Sequence, residues 1–408
     1  MKTHDKVREP LFHIVKRDGL VWWRGWIVRI VAVVIALLFS GLVTYLLTGE
    51  NPIEVYKTMW DGAFGTPRRF WNLMQALAML LCVSLAVTPA FKMRFWNIGA
   101  EGQALIGGFA AAAVMIWLPK AIEKFPQLQA LPQGALNGIM LTLMVLAAMV
   151  VGAIWALIPA LFKAKWGTNE TLFTLMMNYI ATQIVAYFVY IWAGSAGSGV
   201  IGVINEKTHL GWMPEFGGTD AAWMPVLEGK LKGWLPFFSG GNFVGQKYLL
   251  GILLVLLLTV LMFVYLKFSK HGYEISVVGE SENTARYIGI NVKKVIIRTM
   301  LISGALCGVA GFLLVSGADH SITPDTIDGR GFTAIMVSWL AKFNPITMLL
   351  TSFIVVFFEK GATNVATDLG LNHAFSDIIT GIIIFFIIGS EFFINYRIKF
   401  REKEVKAK

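Results

Sequence analysis

Apolar runs long enough to cross a bilayer recur along this chain, and no other feature restricts its fold so tightly. A hydrocarbon layer ~30 Å thick takes about 20 helical residues. Runs of that order occupy 30–48, 73–91, 98–118, 139–161, 171–193, 248–266, 295–316 and 375–394. Two shorter runs, 332–341 and 345–358, are split by Lys342, Phe343, Asn344 and Pro345. They read as a short or partly re-entrant segment followed by a tilted helix, which makes about ten crossings in an all-α polytopic membrane protein. Charged residues are 15% of the 408, against about 25% in soluble chains. Disorder and a disulfide scaffold are excluded too, since Cys82 and Cys307 both lie inside apolar runs.

Cation placement sets the predicted orientation. With the N-terminus taken as cytoplasmic, 24 of the 35 Lys and Arg residues fall in the inner segments and 11 in the longer outer ones, as the positive-inside rule requires. Both termini are then cytoplasmic. The expected layout is a cytoplasmic segment 1–29, a transmembrane region 30–394 and a basic cytoplasmic tail 395–408. Within it lie a long external loop, 194–247, and a cytoplasmic loop, 267–294. The run from Ile30 lacks a small-residue cleavage site and reads as a retained anchor. The net charge of +10 is then a topology signal and an attraction to the anionic inner leaflet, not a nucleic-acid footprint. The external loop is rich in Gly, Trp and Pro (Gly211, Trp212, Met213, Pro214; Trp223, Met224, Pro225; Trp234, Leu235, Pro236), a composition of turns and interfacial aromatics.

An internal symmetry is legible. The loop ending in Gly99, Glu101 and Gly102 before the third span parallels the loop ending in Gly329 and Gly331 before the short segment 332–341. Asn169 ahead of the fifth span has a counterpart in Asn372 ahead of the last. Five crossings separate the copies, so they form an inverted internal repeat of the kind transporters use.

Three carboxylates fall within the predicted spans: Glu101, Asp377 and Glu391. Such residues are costly in lipid and face a bundle interior or a wet cavity. Glu101, flanked by Asn97 and Gln103 and by Gly99, Gly102, Gly107 and Gly108, either lines the substrate route or forms a polar knot between helices. Glu391 is expected to reach Arg397, and Asp377 to contact His373 four residues earlier. Gly304, Gly308 and Gly311, with Ala305 and Ala310, form a small-residue face suited to tight helix packing within the subunit. In the inner loop Ser281 can cap a short helix ended by Gly289, with Ala285, Tyr287 and Ile288 forming a small apolar face. The six histidines lack metal-ligand spacing, and no phosphate loop, zincin helix or nucleophile elbow is present. No enzyme signature emerges.

Four stretches carry a resemblance: Phe95, Trp96, Asn97, Ile98, Gly99, Ala100, Glu101, Gly102, Gln103; Asn169, Glu170 through Leu175, Met176, Met177, Asn178, Tyr179, Ile180; Ala285, Arg286, Tyr287, Ile288, Gly289, Ile290, Asn291; and Ser303, Gly304, Ala305, Leu306 with Gly308, Ala310, Gly311, followed by Gly331 and Phe332. In these the chain resembles the permease subunits of bacterial ATP-driven importers for nucleosides and simple sugars, the branched-chain amino acid and ribose-type group that works with basic-membrane-protein-type binding lipoproteins. Trp96 and Thr171 depart from the family's usual Phe and aliphatic residue.

The resemblance implies a type II-like ABC importer permease in the bacterial inner membrane, forming a pathway for nucleosides, with purine nucleosides favoured. It implies as partners a second permease subunit, a cytoplasmic ABC ATPase and an extracytoplasmic binding lipoprotein. No cofactor is expected in this chain; ATP and Mg would be bound by the ATPase. Asn97, Glu101, Gln103, Asn169, Glu170, Asn178 and Phe332 become pathway or pathway-supporting positions. Glu280, Asn283, Ala285, Arg286, Tyr287, Ile288 and Gly289 become the ATPase-coupling segment. The alternatives are a simple-sugar permease and an ion-coupled secondary transporter.

Overall fold

A computed structural model describes residues 12–17, 22–124, 131–193, 201–214 and 247–400. In chain order these form β1 (Phe12–Lys16), α1 (Trp22–Thr48), α2 (Pro52–Phe64), α3 (Pro67–Lys92), α4 (Ala100–Ile122), α5 (Gln133–Trp166) and α6 (Glu170–Trp192). Then follow α7 (Leu249–Phe268), α8 (Lys270–Glu280), α9 (Glu282–Tyr287) and α10 (Val292–Leu314), which runs on through a π-helical turn, Val315–Asp319. Last come α11 (Arg330–Leu340), α12 (Pro345–Asp368), α13 (His373–Asn395) and β2 (Tyr396–Phe400). Nine helices among the described residues are long and apolar enough to cross a membrane, so the chain is a multi-pass membrane protein of the all-α class, with one short strand pair beside its helices.

The predicted tenth crossing is α11, whose 11 residues extend ~16 Å at 1.5 Å per residue, about half the hydrocarbon thickness. β1 and β2 pair antiparallel, Phe12 opposite Phe400 and Lys16 opposite Tyr396.

Local signals place the helix ends. The Thr66 hydroxyl accepts from the Arg69 amide ahead of Pro67 at the first turn of α3. Asn169, Asn291 and Asn372 cap α6, α10 and α13 with their side-chain oxygens, each accepting amides that the first turn leaves unpaired. Gly167, at φ +65°, closes α5 in the left-handed conformation.

By contact the chain divides into two units, Phe64–Phe357 and a second built from Met1–Ala63 and Phe358–Lys408. In the second, Phe39 packs on Phe386 with ring centroids 5.7 Å apart, and the Asn364 amide donates to the Thr58 carbonyl at 3.1 Å. Glu391 does not reach Arg397: its carboxylate accepts from Arg29 Nε at 2.9 Å. The helical path of α13 carries Glu391 toward α1, and Arg397 has already entered β2. The His373 side chain lies outside the described residues, and the contact expected between it and Asp377 falls there. Helix α12 continues to Asp368, ten residues past its expected end, and ends where Leu371 N–H donates to Ala366 O across Gly370 at φ +63°.

The larger unit is packed around α10, which lies on α5, α4 and α3. The small-residue face does what was expected of it, within this chain. A Cβ at Gly308 would fall on the Ala148 carbonyl of α5, and one at Gly311 on the Ala104 carbonyl of α4. Gly107, Gly108, Gly152 and Gly304 complete the seam, where backbones meet without side chains between them.

Of the long loop 194–247, the part around Gly211–Pro214 is described; Trp223–Pro225 and Trp234–Pro236 lie outside the described residues. Residues 201–214 form a cap over the helix ends. Asn205 donates to Met115 O at 2.9 Å, Asn137 donates to Trp212 O at 3.0 Å, and Ser316 Oγ donates to Gly211 O at 2.7 Å. Trp212 stacks between His209 and His320, 3.8 Å from the latter.

Candidate functional site

Helix α4 begins inside the protein, and its first turn is held by side chains. After α3 ends, Arg94 turns left-handed at φ 61° and the chain re-enters through Phe95, Trp96 and Asn97. Asn97 is fully buried. Its Nδ2 donates to Gln103 Oε1 and to Ser303 Oγ, each at 3.2 Å. Its Oδ1 accepts from Gly99 N–H at 3.1 Å and Gln103 Nε2 at 3.0 Å. Ser303 lies eleven residues into α10, about 16 Å along that helix, and is itself fully buried.

From the other side α6 completes it. Asn178 Oδ1 accepts from Gly102 N–H at 2.9 Å while its Nδ2 donates to Ile98 O at 2.9 Å. Thr174 Oγ1 accepts from Ile98 N–H at 3.2 Å and donates to Glu170 O at 2.7 Å. The amides and carbonyls exposed by starting a helix in a dry interior are thereby paired, which a lipid-embedded backbone requires. A Cβ at Gly102 would come within 2.9–3.1 Å of Asn178 and Ala181, so glycine is needed for this close approach.

The second break in the chain meets the first at Glu101. Its Oε1 accepts from Gly329 N–H at 2.9 Å and its Oε2 from Gly331 N–H at 2.6 Å. One carboxylate thus stands in the first turn of α4 and at the start of α11, where both helix dipoles are positive. The two loops matched in the sequence are joined to each other. Gly329 takes φ +71°, and a Cβ at Gly331 would press on the Glu101 backbone and carboxylate at 2.5–2.8 Å.

Asn97, Glu101, Gln103 and Asn178 therefore form one constellation, with Ser303 and Thr174 as members that sequence reasoning missed. A serine or threonine in a span usually bonds its own helix, and nothing in the sequence tied Ser303 to a residue 206 positions away. Asn169 and Glu170 sit at the end of α6: Asn169 is its exposed cap, and Glu170 pairs with Lys163 Nζ at 2.7 Å. Phe332, beside Gly331, is 43% exposed.

The segment between α7 and α10 is two short helices. Ser281 caps α9 by accepting from Thr284 N–H at 3.2 Å, and Gly289 ends it at φ +83°. The expected single apolar face is not formed. Ala285 is fully buried, while Tyr287 is 91% exposed and Ile288 half exposed, because positions 285 and 287 are separated by about 200° around a helix. Glu280, Asn283 and Arg286 are exposed, and Arg286 pairs with Glu282 at 3.0 Å.

Helix α8 fastens this segment to the bundle at two points. A Cβ at Gly279 would fall on the Lys92 carbonyl at the end of α3. Glu274 accepts from Arg298 of α10 at 2.7 Å. The Arg298 hydrogen bond holds the Glu274 carboxyl below its ordinary range, with the guanidinium and His271 charges adding to the effect. Residues 92–97 then run directly from this anchor into the polar constellation.

The family model described as "Branched-chain amino acid transport system / permease component" matches residues 69–388. The guanosine ABC transporter permease protein NupP of Bacillus subtilis is 27% identical over 94% of this chain and 97% of its own length. The glucose ABC transporter permease protein TsgB13 of Haloferax volcanii is 28% identical over 90% and 88%. The nucleoside ABC transporter permease protein NupB of Lactococcus lactis is 24% identical over 89% and 91%.

Proposed function

This chain belongs to the branched-chain amino acid transport system permease family, a family of transport subunits, and on that footing we propose that it forms the transmembrane pathway of an ATP-driven importer for nucleosides, purine nucleosides above all. The end-to-end match to a guanosine permease carries the reading. A simple-sugar pathway is the second reading, favoured by the glucose permease at similar identity.

In this account the chain lies in the bacterial inner membrane with both ends cytoplasmic, which the cation asymmetry supports. ATP and Mg are held by a separate cytoplasmic ATPase, a second permease subunit completes the pore, and an external binding lipoprotein delivers the solute. The ATPase grips the end of α8 at Glu280 and α9 through Asn283, Arg286, Tyr287 and the adjoining Ile288, while buried Ala285 and the Gly289 turn seat it. Its closure is passed by α8 to α3 at Lys92 and to α10 at Arg298, exchanging inward-open and outward-open packings.

Asn97, Glu101, Gln103 and Asn178 are pathway-supporting: they keep the two chain breaks in register as the helices move. Asn169 and Glu170 fix the end of α6, and Phe332 borders the route. Uptake into proteoliposomes holding the complete complex tests the reading. Guanosine should accumulate with ATP present on the ATPase side and should not be displaced by glucose. Glucose accumulation without guanosine uptake supports the sugar reading, and uptake that follows an ion gradient without ATPase removes both.

A further inference from the structure

Helix α6 carries three different faces. Thr174, Asn178, Ala181, Val185 and Val189 are buried, on the side where α6 packs against α4. Ile180, Ile184 and Ile191 lie together on another side, a surface suited to lipid. Between these, Tyr179, Gln183, Tyr187 and Tyr190 fall within about 80° of arc at 100° per residue, and all four are exposed, the tyrosines by 63–65%. Tyr179, Gln183 and Tyr187 border a shallow, mostly apolar groove open along this one helix, whose other edge is Ile180, Ile184 and Phe188.

Depth makes this face unusual. A tyrosine at the end of a span, such as Tyr190, belongs to an interfacial belt. Tyr179 and Gln183 lie about 14 and 20 Å along a 23-residue helix, inside the hydrocarbon layer. A carboxamide turned to lipid there has no partner for its two donors or its acceptor. The face therefore meets the pathway's water and solute or the second permease subunit across it, not lipid. Phenol rings one turn apart offer stacking surfaces that tolerate any base, and an amide between them can both donate to and accept from a base edge. A sugar can lay its C–H face on such a ring, but it lacks the planar donor and acceptor edge that the Gln183 amide can meet.

We propose that the Tyr179–Gln183–Tyr187 face of α6 is the subsite that holds the nucleobase during passage, and that it separates nucleosides from simple sugars. The proposal rests on the nucleoside-importer reading above. Native Cys82 and Cys307 are buried, so a cysteine introduced into this chain can be read on this subunit's own band after the complex is labelled. A charged thiol reagent should label Gln183→Cys but not Leu257→Cys, which lies on the exposed aliphatic face of α7, and guanosine should slow that labelling several-fold. Gln183→Leu should raise the KM for guanosine several-fold while Gln183→Asn recovers part of the loss.

Failures of the two readings differ. If the wild-type complex takes up guanosine but Gln183→Cys is unlabelled or unprotected, or Gln183→Leu leaves KM unchanged, the subsite is wrong and the importer stands. If the complex takes up only a sugar, and that sugar protects Gln183→Cys, the base-binding assignment is overturned together with the choice of substrate.

Discussion

Glu101 and Gly331, 230 residues apart in the chain, are joined at 2.6 Å by a hydrogen bond from the glycine amide to the carboxylate. With the Gly329 contact it fixes the start of α11 to the start of α4. Hydrogen bonds to a charged group contribute about 1.5–3 kcal/mol each. Glu101→Ala, which removes both, should therefore destabilise the purified protein by about 3–6 kcal/mol, and Glu101→Gln by less, because the amide oxygen still accepts one N–H. Thermal unfolding in detergent measures both; equal stability for wild type and Glu101→Ala would remove the clamp.

The glycine seam makes a sharper prediction. Gly308→Ala puts a methyl group onto the Ala148 carbonyl and forces α5 and α10 apart. A loss of about 2 kcal/mol or more follows, since overpacking costs 1–3 kcal/mol even where neighbours can adjust. Gly138→Ala on α5 meets nothing within 4 Å and should be neutral or stabilising by up to about 1 kcal/mol. Yield of folded protein and its unfolding midpoint separate the two.

How far the sequence foretold this arrangement depended on range. The break at Asn97, Gly99, Glu101 and Gly102 was legible because a polar, glycine-rich cluster interrupts an apolar run, and the Ser281 cap was legible because capping is local. Long-range partners were not: Ser303 looks like any span serine, and the Gly329 and Gly331 amides carry no side-chain signal. Helix α2 was missed as a 13-residue amphipathic piece inside an outer segment. The β1–β2 pair was missed because each strand has only five residues and its partner lies at the far end of the chain. Glu359 and Lys360 read as loop residues, yet neighbours on α12 placed 4.0 Å apart can offset each other's charge.

His320 predicts a pH dependence in the cap. It is 5% exposed against Trp212, and burial, with the Lys247 and His209 charges, lowers its pKa to about 4. A folded pKa below the unfolded value near 6.5 means that the unfolded chain binds more protons between pH 6.5 and 4. Stability from this group is thus full above pH 6.5 and declines as pH falls toward 4. His320→Phe keeps the stack without the titration, so its unfolding midpoint should change less across that window than that of wild type.

Glu274 predicts where coupling can be cut without unfolding the bundle. Glu274→Gln replaces the charge that Arg298 holds, weakening the tie between α8 and α10. In the assembled complex, ATP hydrolysis should continue while solute uptake per ATP falls, by about tenfold for a loss near 1.4 kcal/mol. Unchanged uptake per ATP would mean that α8 transmits nothing through this pair.

The account turns on α9 being the part of this subunit that a separate motor grasps, and a cysteine at its most exposed position measures that directly. In sealed inverted membrane vesicles, which present the cytoplasmic face, Tyr287→Cys should react with an impermeant thiol reagent, lose that reactivity when the ATPase is bound, and cross-link to it. Reaction only from the opposite face, or equal reactivity with and without the ATPase, would contradict the account.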